Sequence, residues 1–194
     1  MVRRLYLDHT FLEALFLAHL SIGRTHIPGM LDWKKRQNMA TAVEVWSVFQ
    51  KAGPLICATS THEVERTITN IFRELKDHAC ACEALDQIGK LRIRVRVPTK
   101  AHYRKAMQNF RSDDTKEHGY EVLDVISYTL IRDSGSGWLV LAFHDHARAA
   151  QGLYGFNVVG NVNEAQSFAG LLGSLGSYTH PPSRKPQGYA SDQT

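Results

Sequence analysis

Residues 5–20, "LYLDHTFLEALFLAHL", place one acid between two apolar segments. The first segment, from Arg3 to Asp8, predicts a short strand, and the second, from Thr10 to about Leu20, predicts an apolar helix. Asp8 lies at their junction. Burial of an ionised carboxylate is costly unless hydrogen bonds, a cation or a metal ion compensate it. The remaining sequence must supply one of these.

The composition is that of an ordinary globular protein. The chain has 194 residues, 43% of them hydrophobic and 22% charged, which favours one domain with a terminal extension. The longest apolar segment, Phe11 to Leu20, is too short to span a bilayer and is interrupted by Glu13 and His19. The N-terminal residues lack the pattern of a signal peptide, so we expect a cytoplasmic protein.

Charge and cysteine content narrow the function classes only slightly. Three cysteines (Cys57, Cys80 and Cys82) without a framework spacing predict reduced thiols. A formal net charge of +4 favours polyanionic partners but does not identify one.

Strands alternate with helices as far as residue 160. Continuous apolar strands are predicted at "PLICATS" (54–60) and "GWLVLAF" (137–143), and a short last strand at "GFNVVG" (155–160). Strands that are apolar throughout belong to parallel sheets covered on both faces. We therefore predict an α/β protein, a three-layer α/β/α sandwich with a mostly parallel central sheet.

Two further segments complete the predicted organisation. "LRIRVRV" (91–97) alternates, which predicts a strand with Ile93, Val95 and Val97 in the core. Residues 161–194 begin with a short amphipathic piece and end in a stretch rich in Pro, Gly and Ser. We expect the domain to cover residues 1–160 and the extension, 161–194, to be partly disordered or loosely docked.

Acidic residues follow the predicted strands at the edge where open α/β sheets bind ligands. Asp8 ends the first strand. The helix after the second strand has an apolar stripe formed by Val64, Ile68, Ile71, Phe72 and Leu75. Glu65 borders this stripe whereas Glu63 points away from it, so we expect Glu65 to face inward. Asp124 faces apolar neighbours early in a later helix. The third apolar strand is followed by His144, Asp145 and His146.

Each of these residues has an alternative role without a ligand. Asp8 suits a helix cap, Glu65 a complement to the helix dipole, and Asp124 a partner for an arginine. If the fold is right, the three acids converge, and two carboxylates about 4 Å apart repel by roughly 4 kcal/mol at an effective dielectric of 20. Such a cluster binds a cation or takes up protons. Oxygen ligands without a nearby cysteine favour Mg²⁺ or Mn²⁺.

The chain resembles the PIN domain, the metal-dependent nuclease family that includes VapC-type toxins. The resemblance covers about residues 3–160 and rests on "RLYLDHTFLEALF" (4–16), "LICATSTHEVERTITNIFREL" (55–75) and the run 101–160, which contains "VLDVISYTLIRD". It implies that Asp8, Glu65 and Asp124 are the metal-binding, catalytic acids.

One position departs from the pattern of the family. After the penultimate strand the family usually has Thr, one further residue and then Asp, whereas this chain has Ala142, Phe143 and His144, with Asp145 one place late. Either Asp145 supplies the fourth catalytic acid or His144 substitutes for it. Alternatively, metal affinity is reduced, or "HDH" is only a solvated helix start.

The resemblance implies a metal-dependent endoribonuclease that acts on RNA, forms a homodimer and, in the toxin branch, is inhibited by a small antitoxin protein. The alternative is a catalytically impaired PIN-like module that binds RNA or a protein. An acidic centre needs nearby cations to admit a phosphate backbone. The candidates, which equally suit a solvated face, are Arg24, Lys34, Lys35 and Arg36.

Overall fold

The computed structural model describes residues 3–111, 120–135 and 137–176, and within these ranges it describes side chains from residue 4 to residue 170. Helices cover both faces of one five-stranded parallel sheet. The elements follow in the order β1 (Arg3–Leu7), α1 (His9–Ser21), α2 (His26–Met30), α3 (Trp33–Lys51), β2 (Leu55–Ser60), α4 (Thr61–Leu75), α5 (His78–Lys90), β3 (Arg94–Arg96), α6 (Lys100–Phe110), α7 (Val122–Asp133), β4 (Trp138–Leu141), α8 (Asp145–Tyr154), β5 (Asn157–Val159) and α9 (Val162–Gly176).

The strand order β3-β2-β1-β4-β5 places β1 at the centre of the sheet. β2 and β3 follow one another on one side of β1. The chain then returns across the sheet, and β4 pairs with the other side of β1. Leu7 pairs with Leu141 at the carboxyl ends of these two strands. The gap between β1 and β4 is therefore the topological switch point, where ligands bind in open α/β sheets.

Alternate residues of the central strands enter two separate cores. Leu5 and Leu7 pack with α1, α3, α4 and α9 on one face, whereas Tyr6 and Val140 pack with α6, α7 and α8 on the other. This alternation is the one expected for strands covered on both faces. The predicted three-layer α/β/α sandwich with a parallel sheet is confirmed.

The prediction for "LRIRVRV" is wrong in part. Only Arg94–Arg96 forms a strand, and although Ile93 is buried, Val95 and Val97 are 41% and 70% exposed. The reason is position: β3 is at the edge of the sheet and pairs with β2 alone. Helices do not cover an edge strand as completely as they cover the central strands, so the apolar side of the alternation stays in water.

The beginning of the C-terminal extension packs on the domain. Ala165 of α9 is fully buried in the core shared with α3, and Phe168 packs against the same core. The rest of the predicted extension, residues 177–194, lies outside the described residues. Within the described ranges, no helix combines the length and the apolar character needed to cross a bilayer.

The contrast between an edge and a central strand gives a test of the fold. Val140→Thr puts a hydroxyl into a fully buried site and should lower the free energy of unfolding by about 1–3 kcal/mol. Val97→Thr should change it by less than about 0.5 kcal/mol, because Val97 is already in water. Urea unfolding of both variants measures the difference, and equal losses would show that Val97 is in the core.

Candidate metal centre at the carboxyl edge of the sheet

Asp8 immediately follows β1 and is almost completely buried. Its Oδ1 atom caps α1, since it accepts hydrogen bonds from the backbone N–H of Thr10 at 2.9 Å and from the Thr10 hydroxyl at 2.7 Å. Its Oδ2 atom faces the other way and lies 3.1 Å from Nε2 of His144. The capping role foreseen for Asp8 is therefore present, but it occupies one oxygen and leaves the second for the site.

Glu63, and not Glu65, is the inward carboxylate of α4. Glu63 is 1% exposed, and its Oε2 atom accepts a hydrogen bond from the backbone N–H of His9 at 3.0 Å. The same oxygen lies 3.0 Å from Nδ1 of His9. Glu65 is exposed. The predicted orientation of these two residues is wrong, and the structure brings Glu63 to the end of β1.

The error has a physical cause. The apolar stripe that suggested Glu65 is only partly buried, whereas the buried face of α4 has the spacing i, i+4, i+8, i+12 and consists of Glu63, Thr67, Ile71 and Leu75. Two of these four residues are polar, so the apolar residues alone displaced the predicted buried face toward Val64 and Ile68. Extending the helical spacing backward from Leu75 and Ile71 would have identified Glu63.

Asp124 lies in the first turn of α7 and is 2% exposed. Its Oδ1 atom accepts a hydrogen bond from Nη1 of Arg66 at 2.6 Å, while Nη2 of the same arginine donates to Glu121 at 3.0 Å. Nδ1 of His146 is 3.8 Å from Asp124 Oδ2. The alternative role foreseen for Asp124, a partner for an arginine, is present.

The polar residues after β4 are His144, Asp145 and His146, and of these only the two histidines reach the site. His144 precedes α8 and lies between His9 and His146, with ring centroids 5.6 Å and 5.5 Å apart. Asp145 is exposed in the first turn of α8, and its side chain has no hydrogen bond or ion pair with the described residues. The structure brings His144 to Asp8, and it does not bring Asp145 there.

The buried charges perturb one another. Burial raises the pKa of Asp8, but the positive charge of His9 and the hydrogen bond from His144 outweigh it and hold that pKa well below its usual value. Burial lowers the pKa of His9, but Asp8 and Glu63 together raise it to about 10. In this arrangement imidazolium groups balance Asp8 and Glu63, and Arg66 balances Asp124.

Tyr128 is a buried phenol within electrostatic reach of the three carboxylates. Its side chain is 1% exposed, and its hydroxyl has no hydrogen-bond partner among the described residues. Burial and the negative charges of Asp8, Asp124 and Glu63 all raise the pKa of this phenol. The histidines connect the acids: His9 lies 3.0 Å from Glu63, and His146 lies 3.8 Å from Asp124.

The residues of this corner fit a divalent cation. One donor atom each of Asp8, His9 and His144 lies within 4.8 Å of the other two. Ligands about 2.1 Å from a common ion are at most about 4.2 Å apart, so a small adjustment closes the set. Unlike Arg66, the two imidazoles can lose their protons and change from counter-charges into ligands.

The predicted basic residues divide into two groups. Arg24 pairs with Glu83 at 2.7 Å, and Lys35 lies between Glu13 and Glu74. Their charges are therefore partly compensated within the domain. Of these four predicted residues, Lys34 and Arg36, in the first turn of α3, are exposed and form no ion pair with the described residues.

The buried His9 predicts how the stability of the metal-free protein depends on pH. A folded pKa of about 10 exceeds the unfolded value of about 6.5, so protonated His9 stabilises the fold fully below pH 6.5, and this contribution is lost as the pH rises toward 10. Urea unfolding between pH 6 and pH 10 should show a decline that is clearly smaller in His9→Gln. Equal declines would contradict the pairing of His9 with Asp8 and Glu63.

Comparison with known proteins adds evidence on the fold. No family model and no curated protein matches the sequence. A solved structure, that of the Mycobacterium tuberculosis VapC20 toxin, which cleaves the sarcin–ricin loop, superposes with a TM-score of 0.54 and 23% identity over 75% of this chain and 94% of that one. The likeness confirms the fold that the resemblance implied, and the chain therefore has a PIN-like α/β/α fold.

Proposed function

We propose that this protein is a metal-dependent endoribonuclease that hydrolyses RNA phosphodiester bonds, with residues 1–160 as its nuclease domain. The observation that carries the proposal is a group of acids and imidazoles at the switch point of the sheet, centred on Asp8, His9 and His144. Glu63 joins it through His9, and Asp124 joins it through His146. A fold shared with a toxin that cleaves the sarcin–ricin loop supports the same conclusion.

The proposed centre uses the carboxylates of Asp8, Glu63 and Asp124, with His144 in the place of a fourth acid. When bound, Mg²⁺ or Mn²⁺ supplies Lewis acidity: it activates water and offsets the negative charge that develops on the phosphate. Glu65 and Asp145, which we had expected in this role, are exposed and have no part in the proposed centre.

Neighbouring residues hold the carboxylates in position before any ligand arrives. Thr10 fixes one oxygen of Asp8 and also accepts a hydrogen bond from the backbone N–H of Phe143 at 3.0 Å, which joins the ends of β1 and β4. The backbone N–H of His9 fixes Glu63. Such preorganisation reduces the cost of gathering like charges around a cation.

Arg66 is placed to contact the substrate. It is about one-fifth exposed and lies on Asp124 at the wall of an open groove of roughly 640 Å³, which is also lined by His62, Arg73 and Glu121. A cation bound to Asp124 would weaken the ion pair between that carboxylate and Arg66. The guanidinium of Arg66 would then be free to bind a phosphate oxygen. Lys34 and Arg36 remain candidates for contacts farther along the RNA.

We further propose that the protein is the toxin of a type II toxin–antitoxin pair, cytoplasmic, homodimeric and inhibited by a small antitoxin. Large apolar side chains in the segment from α1 to α3 are exposed, which suits a protein partner. They are Ile22 at 76%, Met30 at 51% and Trp33 at 69%.

The second candidate is a catalytically impaired module that binds RNA or a protein. Two observations favour it: His144 stands where the family has an acid, and Arg66 already neutralises Asp124. The two candidates differ in one measurable property, since only the nuclease requires a divalent ion to act on RNA.

The adjacent glutamates of α4 give a matched test of the nuclease. Purified protein should cleave RNA in the presence of Mn²⁺ or Mg²⁺ and stop on addition of EDTA. Glu63→Gln and Asp8→Asn should each lower the cleavage rate by about 100-fold or more, because each removes a charged ligand. Glu65→Gln should lower the rate by less than about tenfold, because Glu65 lines the open groove beside Arg66 but is exposed and is no ligand of the proposed centre.

The outcome separates the candidates. Full cleavage by Glu63→Gln would contradict the assignment of the centre. Retention of RNA in EDTA, with no cleavage by the wild type in either metal, would contradict the nuclease and support the binding module.

A further inference from the structure

We propose that the centre selects a first-row transition-metal dication over Mg²⁺, because His144 places an imidazole nitrogen among its ligands. This inference rests on the proposed function and specifies the ion that the same site takes.

The backbone at the end of β4 fixes the place of His144. The N–H of Ala142 donates to the carbonyl of Val159 at 3.2 Å, and the N–H of Phe143 donates to the Thr10 hydroxyl at 3.0 Å. These hydrogen bonds connect Ala142 to β5 and Phe143 to Thr10, whose hydroxyl also binds Asp8. The imidazole therefore reaches Asp8 from an anchored backbone, with Nε2 3.1 Å from Oδ2.

His144 and Asp145 are adjacent in the sequence, and only the imidazole of His144 points toward the site. His144 is one-fifth exposed and contacts Asp8, whereas Asp145 starts α8 in water. A carboxylate that entered in place of His144 would add a further negative charge to a corner that already holds Asp8, Glu63 and Asp124. An imidazole adds a ligand without adding a charge.

A second imidazole lies within reach of the same ion. His9 Nδ1 is 3.4 Å from Asp8 Oδ1, and one donor atom each of Asp8, His9 and His144 falls within a 4.8 Å limit. The carboxylates alone would leave a set of hard oxygen ligands. The histidines convert it into a mixed nitrogen and oxygen set.

Tyr128 adds a second observation. Its hydroxyl is buried, lies within electrostatic reach of the three carboxylates and has no hydrogen-bond partner within the described residues. A ligand or an ordered water in this corner would satisfy it.

The chemistry of the donors sets the preference. Mg²⁺ binds oxygen ligands in near-ideal octahedral geometry and retains several waters. Imidazole suits transition metals, and affinity at a nitrogen and oxygen site rises in the order Mn²⁺, Fe²⁺, Co²⁺. A site in which nitrogen replaces one carboxylate therefore loses affinity for Mg²⁺ more than for Mn²⁺ or Co²⁺.

Binding measurements test the inference apart from activity. Metal-free wild-type protein is titrated with Mg²⁺, Mn²⁺ and Co²⁺ by calorimetry, and the Mn²⁺ complex is examined by pulsed electron paramagnetic resonance for coupling to ¹⁴N. The wild type should bind Mn²⁺ at least about tenfold more tightly than Mg²⁺ and show nitrogen coupling. His144→Asp should lower the Mn²⁺-to-Mg²⁺ affinity ratio by about tenfold and weaken that coupling.

Two variants serve as controls. His26→Ala removes an exposed histidine at the start of α2, and Asp145→Ala removes the adjacent carboxylate. Both should leave the affinities and the nitrogen coupling unchanged. Circular dichroism and a single urea transition confirm that each variant is folded.

The possible results separate the inference from the function. Equal affinities for Mg²⁺ and Mn²⁺, or nitrogen coupling that is unchanged in His144→Asp, would overturn the inference while leaving RNA cleavage in Mg²⁺ as support for the nuclease. Selective, nitrogen-coupled Mn²⁺ binding without RNA cleavage would support the inference and contradict the nuclease. A protein that binds none of the three ions contradicts both.

Discussion

Repulsion among three buried carboxylates governs the carboxyl edge of this sheet. Asp8, Glu63 and Asp124 are each at most 2% exposed and all act on the hydroxyl of Tyr128. Water screens such charges poorly, so their coexistence requires positive charge close by. Two imidazoles and Arg66 supply it, and the same negative potential attracts a divalent cation. A divalent ion must therefore compete with the protons on the two imidazoles and with the guanidinium of Arg66.

The fold brings these acids together from distant parts of the chain. Parallel strands end at one edge, and the reversal of strand order beside β1 opens a crevice there. Asp8 enters from the end of β1, Glu63 from the first turn of α4 and His144 from the end of β4. Short hydrogen bonds from Thr10 and His9 orient the first two, so that the centre depends little on mobile side chains.

The sequence predicts the layers better than the side-chain orientations. Continuous apolar runs identify the central strands because burial on both faces leaves no room for polar residues. The same principle fails at Val97, where an edge position exposes an apolar side chain, and at Glu63, where polar residues form half of the buried face of α4. Hydrophobicity predicts what is buried only where packing provides the stabilisation. At a functional site, hydrogen bonds and charge pairing bury polar groups, and no pattern of apolar residues reveals them.

The central claim is that this corner holds a divalent ion. Its most direct test is a crystal structure of the protein soaked in Mn²⁺, with the ion located by anomalous scattering. We expect one strong peak within about 2.1–2.3 Å of carboxylate oxygens from Asp8, Glu63 or Asp124 and of the His144 nitrogen. A corner without a peak at saturating Mn²⁺, with Arg66 still on Asp124 and His9 still on Glu63, would contradict the account.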